Sequence, residues 1–275
     1  MSEVYVVKVG GAEGNDMQGV AKDVARLWHA GRRIVLVHGG SAEATSLGEC
    51  MGRPARFAKS PSGHTSRLTD APTLDVFLMA TALVNRRLVA ALQAEGVSAV
   101  GLSGLDGGCL IAERKSAFRV VENGRVRVVR GDLSGKPQSA NADFLRLLLD
   151  AGHMPVLAPV GSTAEGQALN VDGDRAAACV AGALKADTLA LLTAVPGLLR
   201  DVADPTTLIA RVESYEMDAA LGFAHGAMKK KVLGASEALS NGVRRVIIAG
   251  SAGERAVERA FAGQGTCFFA EEVTA

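Results

Sequence analysis

The first apolar run of the chain, "VYVVKV", is broken at a single position by Lys8 and is followed at once by Gly10 and Gly11. A run apolar at both odd and even positions predicts a strand covered on both faces, as in a parallel sheet packed between helices. That ammonium stands near the carboxyl end of the strand, where open parallel sheets collect ligands. Residues 17–30 then carry Val20, Val24, Leu27 and Trp28 at helical spacing and stop at Gly31. "RIVLVHGG" predicts a second buried strand ending on glycines, with a helical stretch after it through Cys50.

The alternation continues with a helix over 73–95 and a strand at "VSAVGL". Between Gly104 and Gly131 the pattern changes, and "CLIAERK" and "FRVVENGRVRVVRGD" predict antiparallel ribbons with a hairpin turn at Asn123-Gly124. A helix over 140–151, a strand at "HMPVLAPV" and a helix over 174–185 resume the alternation. "TLALLT", residues 245–249 and "TCFFA" predict the last strands, with helices between them. The fold class that follows is α/β: a mostly parallel open sheet sandwiched by helices, with β-hairpin insertions.

Composition narrows the function classes. Of 275 residues 48% are hydrophobic and 21% charged, an ordinary globular mix that excludes a disordered chain. The net charge of +1 gives no global argument for nucleic acid, so any basic feature is local. Cys50, Cys109, Cys179 and Cys267 are far apart and form no CxxC pair, which predicts reduced thiols in a cytoplasmic protein. No basic segment with an apolar core opens the sequence and no apolar run approaches membrane-spanning length, so a soluble protein is expected.

Three clusters carry candidate chemistry. Gly10 and Gly11 after the first strand, and Gly39, Gly40 and Ser41 after the second, bring backbone N–H groups to the strand ends where α/β folds bind anions. Either glycine pair also serves simply to turn tightly. The P-loop and GxGxxG patterns are absent. In "GQALNVDGDRAA", Asn170, Asp172 and Asp174 alternate along a segment read as extended, which would point all three one way. Asp172 or Asp174 also reads as the cap of a helix beginning at Arg175, for Asp172 equally well. In "HGAMKKKVLGA", three lysines open an amphipathic helix; Lys229 and Lys230 read as a solvated run, although cations in a first turn oppose the helix dipole and favour an anionic partner for one of them.

Taken in order, "VVKVGG", "LVHGG", "SRLTD", "EGQALNVDGD", "LLTAVPGLL" and "GAMKKKV" resemble the amino-acid kinase family and its acetylglutamate kinase branch, nearly end to end. "KVGGAEG", "HGGSAE", "SRLTD" and "GLSGLDG" are similar to the kinases of the carrier-protein route to lysine, which act on α-aminoadipate attached to the small acidic protein LysW. The resemblance implies a carbamate-kinase-like domain over 1–275, with approximate lobes 1–170 for the acceptor and 171–275 for ATP. It implies transfer of the γ-phosphoryl of ATP to a side-chain carboxylate, with Mg2+ held by phosphate oxygens and water, in a homodimer. Lys8 and Lys231 would neutralise the transferring charge, and Asp174 would lie between them. Gly10, Gly11, Val195, Gly197 and Met228 would face ATP. Gly39, Gly40, Ser41, Arg67 and Asn170 would hold the acceptor, Arg67 by a bidentate fork.

Two departures stand out: Ser41 replaces a third glycine, and Ala194 precedes V-P-G where an acidic residue is usual. The alternatives are acetylglutamate kinase with a free acceptor, a kinase of glutamate or aspartate, which "SRLTD" and "LNVDGD" disfavour, and a nucleotide-binding regulator without activity. The presence of both lysines and Asp174 disfavours the regulator.

Charge is also uneven. Residues 52–67 hold Arg53, Arg56, Lys59 and Arg67 with no acid, and residues 113–131 hold Arg114, Lys115, Arg119, Arg125, Arg127 and Arg130 against Glu113 and Glu122. These segments are either ordinary exposed hairpins or a rim that attracts an acidic carrier.

Overall fold

A computed structural model of the chain describes residues 3–61, 65–115, 117–122 and 125–270. The first strand β1 (Val4–Val9) leads to α1 (Met17–His29), β2 (Arg33–His38) and α2 (Ser41–Cys50). A short hairpin, β3 (Phe57–Lys59) and β4 (Thr65–Arg67), precedes α3 (Ala71–Ala94) and β5 (Ala99–Leu102). Asp70 sets the start of α3 by accepting the Thr73 amide at 3.0 Å. Then come β6 (Leu110–Arg114), β7 (Phe118–Glu122), β8 (Arg125–Val129), β9 (Ser134–Ala140), α4 (Ala142–Asp150), β10 (Met154–Leu157), β11 (Val160–Ser162) and β12 (Ala168–Val171). The chain continues through α5 (Gly173–Leu184), β13 (Thr188–Thr193), β14 (Arg211–Val212), α6 (Met217–Phe223), α7 (Ala227–Ser240), β15 (Arg245–Gly250), α8 (Ala256–Phe261) and β16 (Thr266–Phe269).

The main sheet has the order β14-β16-β15-β13-β1-β2-β10-β5. It is parallel from β15 to β5, and β16 runs antiparallel to β15. The period-2 alternation of β1 divides its side chains between two cores. Val4 and Val6 join Val35, Val37, Leu189 and Leu191 against α5 and α7. Tyr5, Val7 and Val9 join Ile34 and Leu36 against α1 and α3. The sheet is therefore the mostly parallel, helix-sandwiched one that the apolar runs predict.

Two smaller assemblies are attached: a closed barrel β11-β12-β9-β6 and a sheet β4-β3-β7-β8. Here the sequence expectations need correction. "HMPVLAPV" is two strands in two sheets, because Pro159 has no N–H to continue a ladder. "CLIAERK" is antiparallel as expected, but to β9 in the barrel, with a parallel bridge to β11, while β7 and β8 form an antiparallel pair beside β3 in the other sheet. The Asn123-Gly124 turn lies outside the described residues. All four cysteines are free, and no described helix is long and apolar enough to cross a membrane.

Candidate active site

Parity places Lys8. It continues the series Val4, Val6 on the face packed by α5 and α7, one residue from the carboxyl end of β1. Its partner is Asp174, in the first turn of α5, with Lys8 Nζ 2.6 Å from Asp174 Oδ1. Asp172 fixes where that turn begins, accepting the amides of Asp174 at 3.0 Å and Arg175 at 3.2 Å. The extended reading of 170–174 thus fails after Val171: Asp172 is the cap, and the helix starts at Gly173, two residues before Arg175. A Cβ at Gly173 would stand 3.3 Å from Lys8 Cε, so glycine lets the lysine pass.

From the other side, Lys231 on α7 reaches both Asp174 oxygens, at 2.9 and 3.1 Å. All three side chains belong to residues only 6% exposed. Burial alone would raise the Asp174 pKa, but the two ammonium groups outweigh it and hold the carboxyl well below the usual carboxylate range. Burial, with repulsion from Lys8, lowers Lys231. The trio carries one net positive charge at the end of the central strand.

The glycine pairs do more than turn. A Cβ on Gly11 would lie 2.2 Å from Gly40 N, and one on Gly39 would lie 2.2 Å from Gly11 N, so the two loops touch backbone to backbone. Their amides are not all available. Gly10 N–H donates to the Leu192 carbonyl at 3.2 Å and Gly39 N–H to the Val9 carbonyl at 2.9 Å. This corrects the expectation that Gly10 gives its amide to a phosphate. The start of α2 at Gly40 and Ser41 and the start of α7 at Gly226 have no side-chain cap; in their first turns the Ala42 amide donates to the Gly11 carbonyl at 2.8 Å and the Met228 amide to the His225 carbonyl at 3.0 Å.

Of the residues expected to hold the acceptor, Arg67 is buried beside α2, donating to the Ser41 carbonyl at 3.0 Å and the Thr45 hydroxyl at 2.8 Å, over the Phe57 ring. Asn170 Nδ2 donates to the Thr69 hydroxyl at 3.0 Å, and that hydroxyl in turn faces the Arg67 carbonyl at 3.3 Å. Thr69 therefore links the two predicted acceptor residues, and its own amide is held by buried Asp132 at 2.8 Å. Sequence reasoning missed both Thr69 and Asp132; the signal was only that Thr69 belongs to "SRLTD". Thr69 and Asp132 also line a cleft of about 760 Å³ whose rim includes Arg56, Lys59 and Arg130.

The residues expected on the ATP side are dispersed. Val195 is exposed beside the end of β15, whereas Gly197 is buried against Leu208 and Thr266 and Met228 packs on the core. Gly197 is buried and Met228 half-buried.

A family model for the amino acid kinase family matches residues 3–250. The chain belongs to the amino acid kinase family. It is 48% identical to a "[LysW]-aminoadipate kinase" of Deinococcus radiodurans, over 96% of this chain and 90% of that one. The same identity holds to the protein of that name from Thermus thermophilus, over 96% and 99%. An "Acetylglutamate kinase" of Methanopyrus kandleri is 43% identical over 88% and 93%. Carbamate kinase from Giardia lamblia, 16% identical, shares the fold with a TM-score of 0.68 over 98% of this chain and 99% of that one. The chain is accordingly a phosphotransferase that uses ATP.

Proposed function

We propose that this amino acid kinase transfers the γ-phosphoryl of ATP to the side-chain carboxylate of α-aminoadipate carried on LysW, forming an acyl phosphate. The observation that carries the chemistry is the sharing of buried Asp174 by Lys8 and Lys231. An acceptor carboxylate is already ionised at neutral pH, so the reaction requires no general base. The barrier is the meeting of two anions, which fixed cations lower. Lys8 and Lys231 supply that charge from two directions. Asp174, kept ionised by both, orients them and is a positioning residue, not a base.

In this reading residues 1–170 form the acceptor side and 171–275 the nucleotide side. The Gly11, Gly40 and Ser41 amides receive anionic oxygens, and Arg67 and Asn170 hold the acceptor. Magnesium fits as an ion brought by the triphosphate and held by its oxygens and water. Asp174 is committed to two ammonium groups, and no cluster of three His, Cys, Asp or Glu among the described residues is arranged for a metal. The enzyme acts in the cytoplasm as a homodimer, as the family resemblance implies.

Support for the carrier-bound acceptor is the 48% identity, over 96% of the chain, to relatives of that name. Arg56, Lys59 and Arg130 outnumber Asp70 and Asp132 along the Thr69 cleft, a surplus of positive charge that fits an acidic carrier. The deciding experiment compares ATP turnover with LysW-linked aminoadipate and with free acetylglutamate. Preference for the linked substrate is expected. Preference for acetylglutamate would move the enzyme to arginine synthesis, and inertness toward both would leave a non-catalytic regulator.

A further inference from the structure

Beneath the second glycine turn, on the sheet face away from Lys8, lies a buried pair that the reaction itself does not touch. His38 ends β2 with no exposed surface, and Asn85 on α3 is 4% exposed. Parity explains the placement: Ile34, Leu36 and His38 alternate toward the α1 and α3 side.

The bonds of this pair fix the proton on the imidazole. Asn85 Nδ2 donates to the Val156 carbonyl at 2.8 Å, which settles the amide's orientation, and stands 3.1 Å from His38 Nε2. An amide nitrogen only donates, so Nε2 accepts and the ring hydrogen is on Nδ1. Nδ1 is 3.0 Å from the Gly39 carbonyl oxygen and donates to it. Burial, opposed by that bond and reinforced by Lys8, lowers the His38 pKa to about 4, so the ring stays neutral. A Cβ on Gly101 would stand 1.9 Å from Asn85 Oδ1, so a glycine there is what admits the amide.

In a trans peptide the carbonyl and the next N–H point opposite ways. His38 holds the Gly39 carbonyl toward the α3 face. The Gly40 N–H is thereby aimed at the opposite face, where Lys8 and Asp174 meet.

We propose that His38, its tautomer held by Asn85, is a positioning residue that aims the Gly40 amide at the reacting oxygens. The inference rests on the kinase reading above. Donors pre-aimed at developing charge lower a barrier only while their direction is fixed, and misplacement by about 1 Å costs on the order of a hundredfold.

The test uses the intact enzyme with three variants. His38→Asn keeps a donor close to the Nδ1 position, His38→Leu removes it, and Asn85→Leu frees the tautomer. Nitrogen NMR of histidine-labelled native enzyme should show His38 protonated on Nδ1 alone, and Asn85→Leu should mix the tautomers. In steady-state assays His38→Leu and Asn85→Leu should lose kcat by roughly 10- to 100-fold. The KM for ATP should stay nearly unchanged, and His38→Asn should recover most of the rate. An Nε2-protonated ring in the active native enzyme overturns the inference whether or not the variants fold. Equal loss of kcat in His38→Asn and His38→Leu overturns it too, since the ring would then only fill space. Native enzyme inert toward every carboxylate acceptor removes the kinase reading instead, while the NMR still reports on the bond chain.

Discussion

Lys230 Nζ donates to the carbonyl of Thr65 at 2.9 Å, tying α7 to the β3–β4 hairpin. The same ammonium lies 3.6 Å from Asp172, the residue that caps α5. The middle lysine of the run is thus no solvated charge. It spans the hairpin and the helix start beside Asp174, one residue before Lys231.

The three lysines should therefore separate in mutagenesis. Lys231→Ala, like Lys8→Ala, is expected to lower turnover by roughly two to four decades, the loss of one donor at the transition state. Lys230→Ala should cost less and fall mainly on acceptor KM. Lys229, which makes no ion pair among the described residues, should tolerate alanine. Steady-state kinetics of the four variants check the order, and near-normal turnover without Lys8 or Lys231 would end the assignment.

Asp174→Asn leaves two buried ammonium groups without their counter-charge, so stability at pH 7 should drop by about 3–5 kcal/mol. The folded-state pKa of Asp174 is depressed. Its contribution is therefore fully present above the unfolded value of about 4 and is lost as pH falls through the folded one. Urea unfolding of both proteins should show a gap that is constant near neutrality and narrows below about pH 4. A gap that widened on acidification would contradict the ionised, doubly paired carboxylate.

Arg67→Lys keeps the charge but loses the planar guanidinium whose Nη2 reaches both Ser41 and Thr45, so acceptor KM should rise while ATP KM holds. If ATP binding suffers instead, Arg67 belongs to the other substrate.

Thr69→Val strips the hydroxyl that receives Asn170 Nδ2. Leaving that amide without its acceptor costs about 1–3 kcal/mol, so acceptor KM should rise roughly 5- to 150-fold at nearly constant ATP KM. Unchanged kinetics would mean that Thr69 does not orient Asn170.

For the carrier, reversing Arg56 and Lys59 to Glu should weaken turnover of LysW-linked substrate and spare free acetylglutamate. The difference should shrink as salt rises, because exposed charges are screened beyond roughly 8–10 Å. Arg56 is only loosely paired, 3.4 Å from Asp70. Equal loss on both substrates would indicate local misfolding, and no loss on either would remove this loop from the docking surface.

The apolar runs alone determined the parallel sheet, its helices and the oddity of Lys8, because alternation and helical period are properties of neighbouring residues. Glycine after β1 and β2 was equally legible, but its reason was not. Only the folded chain brings Gly11 and Gly39 into backbone contact, and only it shows that Gly10 and Gly39 have already used their amides. The extended reading of 170–174 failed because local alternation cannot see a cap: Asp172 ends the strand by taking the amides of α5. Tertiary structure likewise decided that residues 8, 174 and 231 share one carboxylate, that Thr69 joins Arg67 to Asn170, and that Lys230 is engaged. Pattern along a chain fixes which face a side chain takes. Which distant charge meets it there depends on how sheet and helices stack, and burial then makes that partner obligatory, since an unpaired charge would not remain in the core.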